Sequence, residues 1–200
     1  MKALRSTCLG VVLLLLLPLR GQAQPVYTGL LYQVALPTSD TKDFIDKVSF
    51  RGVGVEARKP VTSKFTVGAS LNWNVFHSVV KGTVPIDVGA VTGSQNRIIN
   101  SFPLLGTAHY YFASPEDEAN NLMGFLGLGT GVMFVQTKNE IGSFTVKDEN
   151  WHFVVAPEFG LGFESGRGMY VVVSARYNYA FKSGGQQHGY LSLNLGVFSF

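Results

Sequence analysis

Four charged side chains stand where charge is costly unless it is partnered. Glu56, Arg58, Glu158 and Arg176 each fall on the polar side of a segment that alternates apolar and polar residues. Two carboxylates and two guanidiniums brought together from such distant positions suit an internal ion-pair network, which offsets its own desolvation only when every charge is paired. The sharper alternative is a polar gate or conduit. Proton chemistry at Glu158 is poorly supported if Arg176 lies beside it, because a neighbouring cation favours the carboxylate and an ion pair.

The other groups capable of chemistry are scattered. His77, His109, His152 and His188 show no ligand spacing, so no metal site is expected. His77 adjoins Ser78, but neighbours on a strand point to opposite faces and cannot form a dyad. Pro115-Glu116-Asp117-Glu118 is expected to be a solvated acidic turn rather than a cation site. Gly127 to Gly131 superficially resembles a phosphate loop, yet no Lys-Ser/Thr ending or following helix accompanies it, so packed glycines are expected. No cofactor is implied.

The elements that must position these residues are strands. From Lys64 to His77, Phe65, Val67, Ala69, Leu71, Trp73 and Val75 alternate with Lys64, Thr66, Gly68, Ser70, Asn72 and Asn74, and Met169 to Phe181 repeats the pattern. Six further segments read the same way: about 26 to 36, 49 to 59, 97 to 112, 122 to 135, 151 to 164 and 188 to 200. These eight strands are longer than the five or six residues usual in soluble sheets, and long enough to cross a bilayer at a tilt. Tight turns are expected on one side, at 60 to 63, 113 to 121 and 165 to 168. Longer loops are expected on the other, at 37 to 48, 78 to 96 and 136 to 150, with a short one at 182 to 187.

Hairpin arithmetic gives a register. A turn at Gly166 and Arg167 sets Glu158 opposite Arg176, Leu161 opposite Val173 and Phe163 opposite Val171. A turn centred on Val61 sets Ala57 opposite Phe65 and Val55 opposite Val67.

The chain has 200 residues, with 16 basic and 13 acidic side chains and one cysteine. Lys2, Arg5 and Arg20 lie in the first 23 positions, which hold no acidic residue, so the remainder carries 13 of each sign. A basic nucleic-acid binder is therefore disfavoured. Met1 to Ala23 has the parts of a secretory signal: Lys2 and Arg5, an apolar run from Cys8 to Leu17, then Gly21 and Ala23 before Gln24. Cleavage after Ala23 would leave residues 24 to 200 as one domain without cysteine, which excludes a disulfide scaffold or a thiol nucleophile there.

Two eight-stranded barrels remain, a soluble one with its apolar face inward and a membrane one with that face toward lipid. The polar face decides for the membrane. It carries Gly52, Gly54, Gly127, Gly129, Gly160 and Gly162 among its charges, and small residues suit the crowded lumen of a barrel this narrow. On the apolar parity the only charges near strands are Arg51 and Lys59, at the two ends of one strand. Aromatics there cluster near strand ends: Trp73, Tyr110, Phe112, Trp151, Tyr179 and Phe181.

Several segments then resemble one family. Phe102-Pro103-Leu104-Leu105 followed by Tyr110-Tyr111-Phe112, the glycine alternation from Gly127 to Gly131, Ala175-Arg176-Tyr177-Asn178-Tyr179, and the closing Leu195-Gly196-Val197-Phe198-Ser199-Phe200 look like the small bacterial outer-membrane β-barrel domain, OmpA-like or porin-like. The resemblance implies an all-β, eight-stranded, antiparallel up-and-down transmembrane barrel in the outer membrane. It also implies a terminal signal, Phe198 and Phe200, read by the barrel-insertion machinery. Phe198 and Phe200 depart from the outward parity of Leu191, Leu193, Leu195 and Val197, so a bulge or a register slip is expected in the last strand. Barrels that deacylate lipid A use a His-x-Ser pairing, which this chain lacks, so an enzyme is not expected and a lipid hydrolase is a remote alternative. The expected function is a structural or surface-interaction role, with loops outward and a lumen closed by Glu56, Arg58, Glu158 and Arg176. The alternative is a narrow transporter of small solutes or apolar molecules. The expected partners are the lipid bilayer and the insertion machinery, with no nucleic acid and a loop partner that the sequence does not name.

Overall fold

A computed structural model describes residues 26–86, 89–113, 122–141, 144–166 and 168–199. The proposed leader 1–23 with Cys8, the acidic turn at Pro115 to Glu118, Arg167 and Phe200 lie outside those residues. Eight strands form one antiparallel ring: β1 (Tyr27–Thr38), β2 (Ser49–Thr62), β3 (Phe65–Ile86), β4 (Gly89–Tyr111), β5 (Leu122–Ile141), β6 (Phe144–Glu164), β7 (Met169–Ala180) and β8 (His188–Ser199). Each strand pairs with its sequence neighbour, and β1 pairs with β8 from Thr28 opposite Ser199 to Thr38 opposite Gly189, which closes the barrel and leaves no free edge along its wall.

The two faces are inverted relative to a soluble barrel. Leu30, Val55, Leu71, Leu104, Leu128, Phe159, Val173 and Leu195 are exposed, while Glu56, Arg58, Asn72, His109, Glu158, Arg176 and Asn194 are buried. An outer surface of that composition is stable only against hydrocarbon, and the fold is a transmembrane β-barrel. Trp73 and Phe102 stack at 5.7 Å, Phe102 meets Phe134 at 6.2 Å, and Phe134 meets Trp151 at 5.1 Å, forming a belt at one level of four strands. Tyr110 and Phe112 mark the other belt. Phe102 and Phe112 are separated by about 33 Å of chain, which is about 25 Å of height at a tilt of about 40°, the usual height of such an apolar band.

The structure corrects the long loops. Residues 78–86, 89–96, 136–141 and 144–150 are strand: β3 and β4 stay paired out to Ile86 opposite Gly89, and β5 and β6 to Ile141 opposite Phe144. β3 to β6 therefore rise past the Trp73 belt, whereas β2 stops pairing with β3 at Gly52 opposite Asn74 and β7 begins pairing with β6 at Ala180 opposite Val154. The third expected loop contains a short helix, α1 (Ser39–Phe44), seated over the barrel mouth. The connection from β7 to β8 is a tight turn at Gly184 and Gly185, with φ of 59° and 85° that favour glycine at both positions.

Register follows expectation in one hairpin and departs in another. Glu158 lies opposite Arg176, Leu161 opposite Val173 and Phe163 opposite Val171. In the β2–β3 hairpin, however, Ala57 faces Ala69 and Val55 faces Leu71, because the turn is at Ser63 and Lys64 rather than Val61. Pro60 stays within the strand, next to a bulge where its missing N–H is tolerated. The offset is an even number of residues, so every side chain keeps its face. The last strand contains neither bulge nor slip. Its pairing with β1 and β7 is continuous, and Phe198 points into the lumen.

Candidate functional site

The lumen is filled in layers. At the end bearing the short turns, Tyr27, Leu31, Tyr111, Met123, Phe125, Tyr170, Val172 and Phe198 form an apolar cluster. Phe198 can enter because its partner on β1 is Gly29: a Cβ there would lie 2.5 Å from the phenyl ring.

Above it sits the charged layer. Parity places Glu56 and Arg58 on β2, Glu158 on β6 and Arg176 on β7, all inward, and the closed ring brings the four together. Arg58 Nε donates to Glu56 Oε1 at 2.7 Å, and Arg176 Nη2 reaches Glu56 Oε2 at 2.8 Å and Glu158 Oε2 at 2.6 Å. Arg176 Nε adds a bond to Glu158 Oε2 at 3.0 Å and Nη1 one to Ser70 at 3.4 Å. Arg58 Nη1 donates to the Tyr111 hydroxyl at 3.0 Å, and its guanidinium lies 5.0 Å from the Phe125 ring centre and 4.6 Å from that of Phe198. Each guanidinium is thus held both by carboxylate and by a hydroxyl or an aromatic face, the arrangement that makes a buried charge tolerable.

Two members were not singled out from the sequence. His109 Nε2 lies 3.4 Å from Glu158 and 3.5 Å from Glu56, bridging the carboxylates. Ser174 donates to Glu158 Oε1 at 2.5 Å. Inward parity on β4 and β7 was the available signal for both. A serine, a histidine and a carboxylate thus meet, but in the wrong order for nucleophilic catalysis. The carboxylate stands between the other two, and no imidazole nitrogen faces the hydroxyl to accept its proton.

Toward the outer mouth the lumen becomes a net of amides and a phenol. Gln33 donates to Asn72 at 2.9 Å, Asn74 donates to Gln33 at 2.9 Å, and the Tyr190 hydroxyl contacts Asn74 at 3.3 Å and Ser101 at 3.4 Å. Beyond it Phe76, Ile99, Leu105, Met133, Val154 and Ile45 pack as a second apolar cluster. α1 covers that cluster. Gln187 N donates to Asp40 at 2.6 Å, Thr41 meets His188 Nδ1 at 3.0 Å, and Arg97 donates to the Phe44 carbonyl at 3.2 Å.

Of the remaining histidines, His152 and His188 lie together and His77 lies apart. His152 Nδ1 donates to the Phe181 carbonyl at 2.9 Å, and its ring meets that of His188 at 5.1 Å. His77 is exposed and Ser78 buried, on opposite faces. Among the described residues no three His, Cys, Asp or Glu side chains gather closely enough to hold a metal ion. The β5–β6 hairpin carries charges of both signs, Lys138, Glu140, Lys147, Asp148 and Glu149. Glu149 is held by Lys147 and by Gln136 at 2.8 Å, and these contacts, led by that with Lys147, keep its carboxyl below the usual range.

With this geometry the chain can be set beside known proteins. No family model matches it, and no curated protein matches its sequence. Solved structures do. The neisserial surface protein A, NspA, is 12% identical with a TM-score of 0.59 over 87% of this chain and 96% of that one. Ail, the attachment invasion locus protein of Yersinia pestis, in complex with the heparin analogue sucrose octasulfate, is 14% identical with a TM-score of 0.55 over the same shares. The outer membrane protein OprG of Pseudomonas aeruginosa is 11% identical with a TM-score of 0.53, over 90% of this chain and 98% of that one. The chain therefore shares the fold of small outer-membrane barrels.

Proposed function

We propose that this chain is a bacterial outer-membrane barrel with a structural or surface-interaction role, in which the wall is a sealed anchor and the protruding strands are the working part. The observation that carries this reading is the coincidence of a filled lumen with four strands, β3 to β6, that continue past the aromatic belt. Polar layers and two apolar clusters occupy the interior, and a cavity among Tyr27, Arg58, Tyr111 and Phe198 measures only about 30 Å³, roughly the space of one water. A surface that extends beyond the bilayer while nothing passes through it fits contact rather than transport. Among the described residues, the Ser174, Glu158 and His109 group does not have the order of a nucleophilic triad.

Ail was solved with a sulfated sugar, but here the β5–β6 hairpin carries Lys138 and Lys147 with Glu140, Asp148 and Glu149, so a polyanion is not the partner these charges favour. Export would use residues 1 to 23, and insertion would use the aromatic pair Phe198 and Phe200. Reconstitution into liposomes tests the functional reading. Sealed vesicles support it, and measurable flux of small solutes overturns it in favour of a narrow transporter. The mass of the mature protein tests cleavage after Ala23.

A further inference from the structure

The outward side chains form rungs that cross the barrel from strand to strand, and one rung is unusually shallow. Ser199, Thr28, Ala57, Ala69, Gly106 and Thr130 are consecutive cross-strand partners over six strands, and all are small. The next rung toward the outer belt, Val197, Leu30, Val55, Leu71, Leu104 and Val132, is bulky. Between them lies a groove of about 650 Å³ on the lipid face, bounded on its lower side by Met169. A second depression of about 510 Å³ continues past Leu30, Val55 and Leu71 to Trp73 and Phe102. The two depressions lie one above the other along the apolar band, with the Leu30, Val55 and Leu71 rung between them.

Its lower end has a charge. Lys59 is exposed on the same outward parity as Ala57, about 7 Å further along β2, and faces Val67 across the strands. The following rung holds Phe65 opposite Tyr110, so Lys59 sits at the depth where aromatic side chains mark the interface. The Thr28 and Ser199 hydroxyls belong to the same end of the groove.

We propose that this groove holds one acyl chain of an anionic glycerophospholipid of the inner leaflet, with its phosphate at Lys59. The depression next to Lys59 is the larger of the two and is the one floored by small residues, whereas Arg51, the outward basic residue at the other end of β2, lies beyond the smaller one, so the proposed site is on the inner-leaflet side. A second copy of this chain is a poorer occupant. In a two-fold dimer about an axis along the bilayer normal, each Lys59 would meet its counterpart at equal depth, like charge against like.

The inference rests on the barrel spanning a bilayer. Native mass spectrometry of the full chain, released from vesicles of equal phosphatidylglycerol and phosphatidylethanolamine, tests it. One phosphatidylglycerol should remain per barrel. Ala69→Leu, which fills the groove from a lipid-facing position, should lower retention more than tenfold, and Ala57→Leu makes the same test from the facing strand. Lys59→Gln should reduce the preference for phosphatidylglycerol about fivefold, the ratio given by about 1 kcal/mol per basic group near a charged interface. Equal retention by wild type and both leucine variants, or cross-linked dimers through Ala69→Cys, would overturn the proposal. Heat-modifiable electrophoretic migration reports insertion separately, so a barrel that inserts without retaining lipid counts against the groove alone, and one that fails to insert counts against the membrane reading.

Discussion

Two unlike layers of side chains lie across the lumen, and the contrast shows what each contributes. Near the short turns, Glu56, Arg58, Glu158, Arg176 and His109 join strands across the ring through bonds of defined direction. Near the outer mouth, Phe76, Ile99, Met133 and Val154 fill the same cross-section by shape alone. The apolar layer gains by excluding water and tolerates changes that conserve volume. The ionic layer gains little from being ionic, yet losing one member strands the others in a dry interior. The first layer sets how full the barrel is, and the second sets which strands meet at what height.

The sharpest way to break that contrast is Arg176→Leu, which leaves Glu56 and Glu158 short of a shared partner. Urea unfolding in detergent micelles should show a loss of about 5 kcal/mol, and adding Glu158→Gln should restore part of it. An unchanged midpoint would mean that the charges are not mutually dependent. Phe76→Ala in the outer layer should cost about 3–4 kcal/mol through the cavity it opens, with Phe76→Leu nearly neutral, as expected if volume governs. Val173→Arg, on the lipid face, should cost about 3 kcal/mol in the same unfolding experiment, and tolerance of that change would invert the assignment of faces. The smallest effect is expected at Glu149→Gln. That exposed pair with Lys147 should be removable without measurable change in the unfolding midpoint.

Much of the architecture was legible because the bilayer imposes a strict code. Between the belts outward residues are mostly apolar and charged residues must point inward, and that period of two placed Glu56, Arg58, Glu158 and Arg176 on one face. The Gly166 turn then gave the Glu158–Arg176 pair directly. Beyond Ser78 on β3 and Val135 on β5 the alternation of buried and exposed residues weakens. Lys81, Lys138 and Glu140 interrupt the alternation, and paired strands read as loops. The β2–β3 register was missed for a different reason. Pro60 reads as a turn residue, yet a strand tolerates it beside a bulge. Phe198 looked like a slip because an inward aromatic is unexpected in so narrow a barrel, until Gly29 opposite it gives the ring its space. His109 carries no spacing signal of its own, and only closure of the ring reveals that it bridges the carboxylates.

The bond between Arg176 and Glu56 spans 120 positions of sequence, and the rings against Arg58 come from β5 and, through Phe198, from β8. None of these contacts can be local in an open sheet. The Glu56–Arg58 pair lies within β2 and the Glu158–Arg176 pair within the β6–β7 hairpin, and closure of the ring is what brings the two pairs together. The Arg176–Glu56 bond is therefore a latch between distant parts of the wall, engaged only when the chain has come full circle.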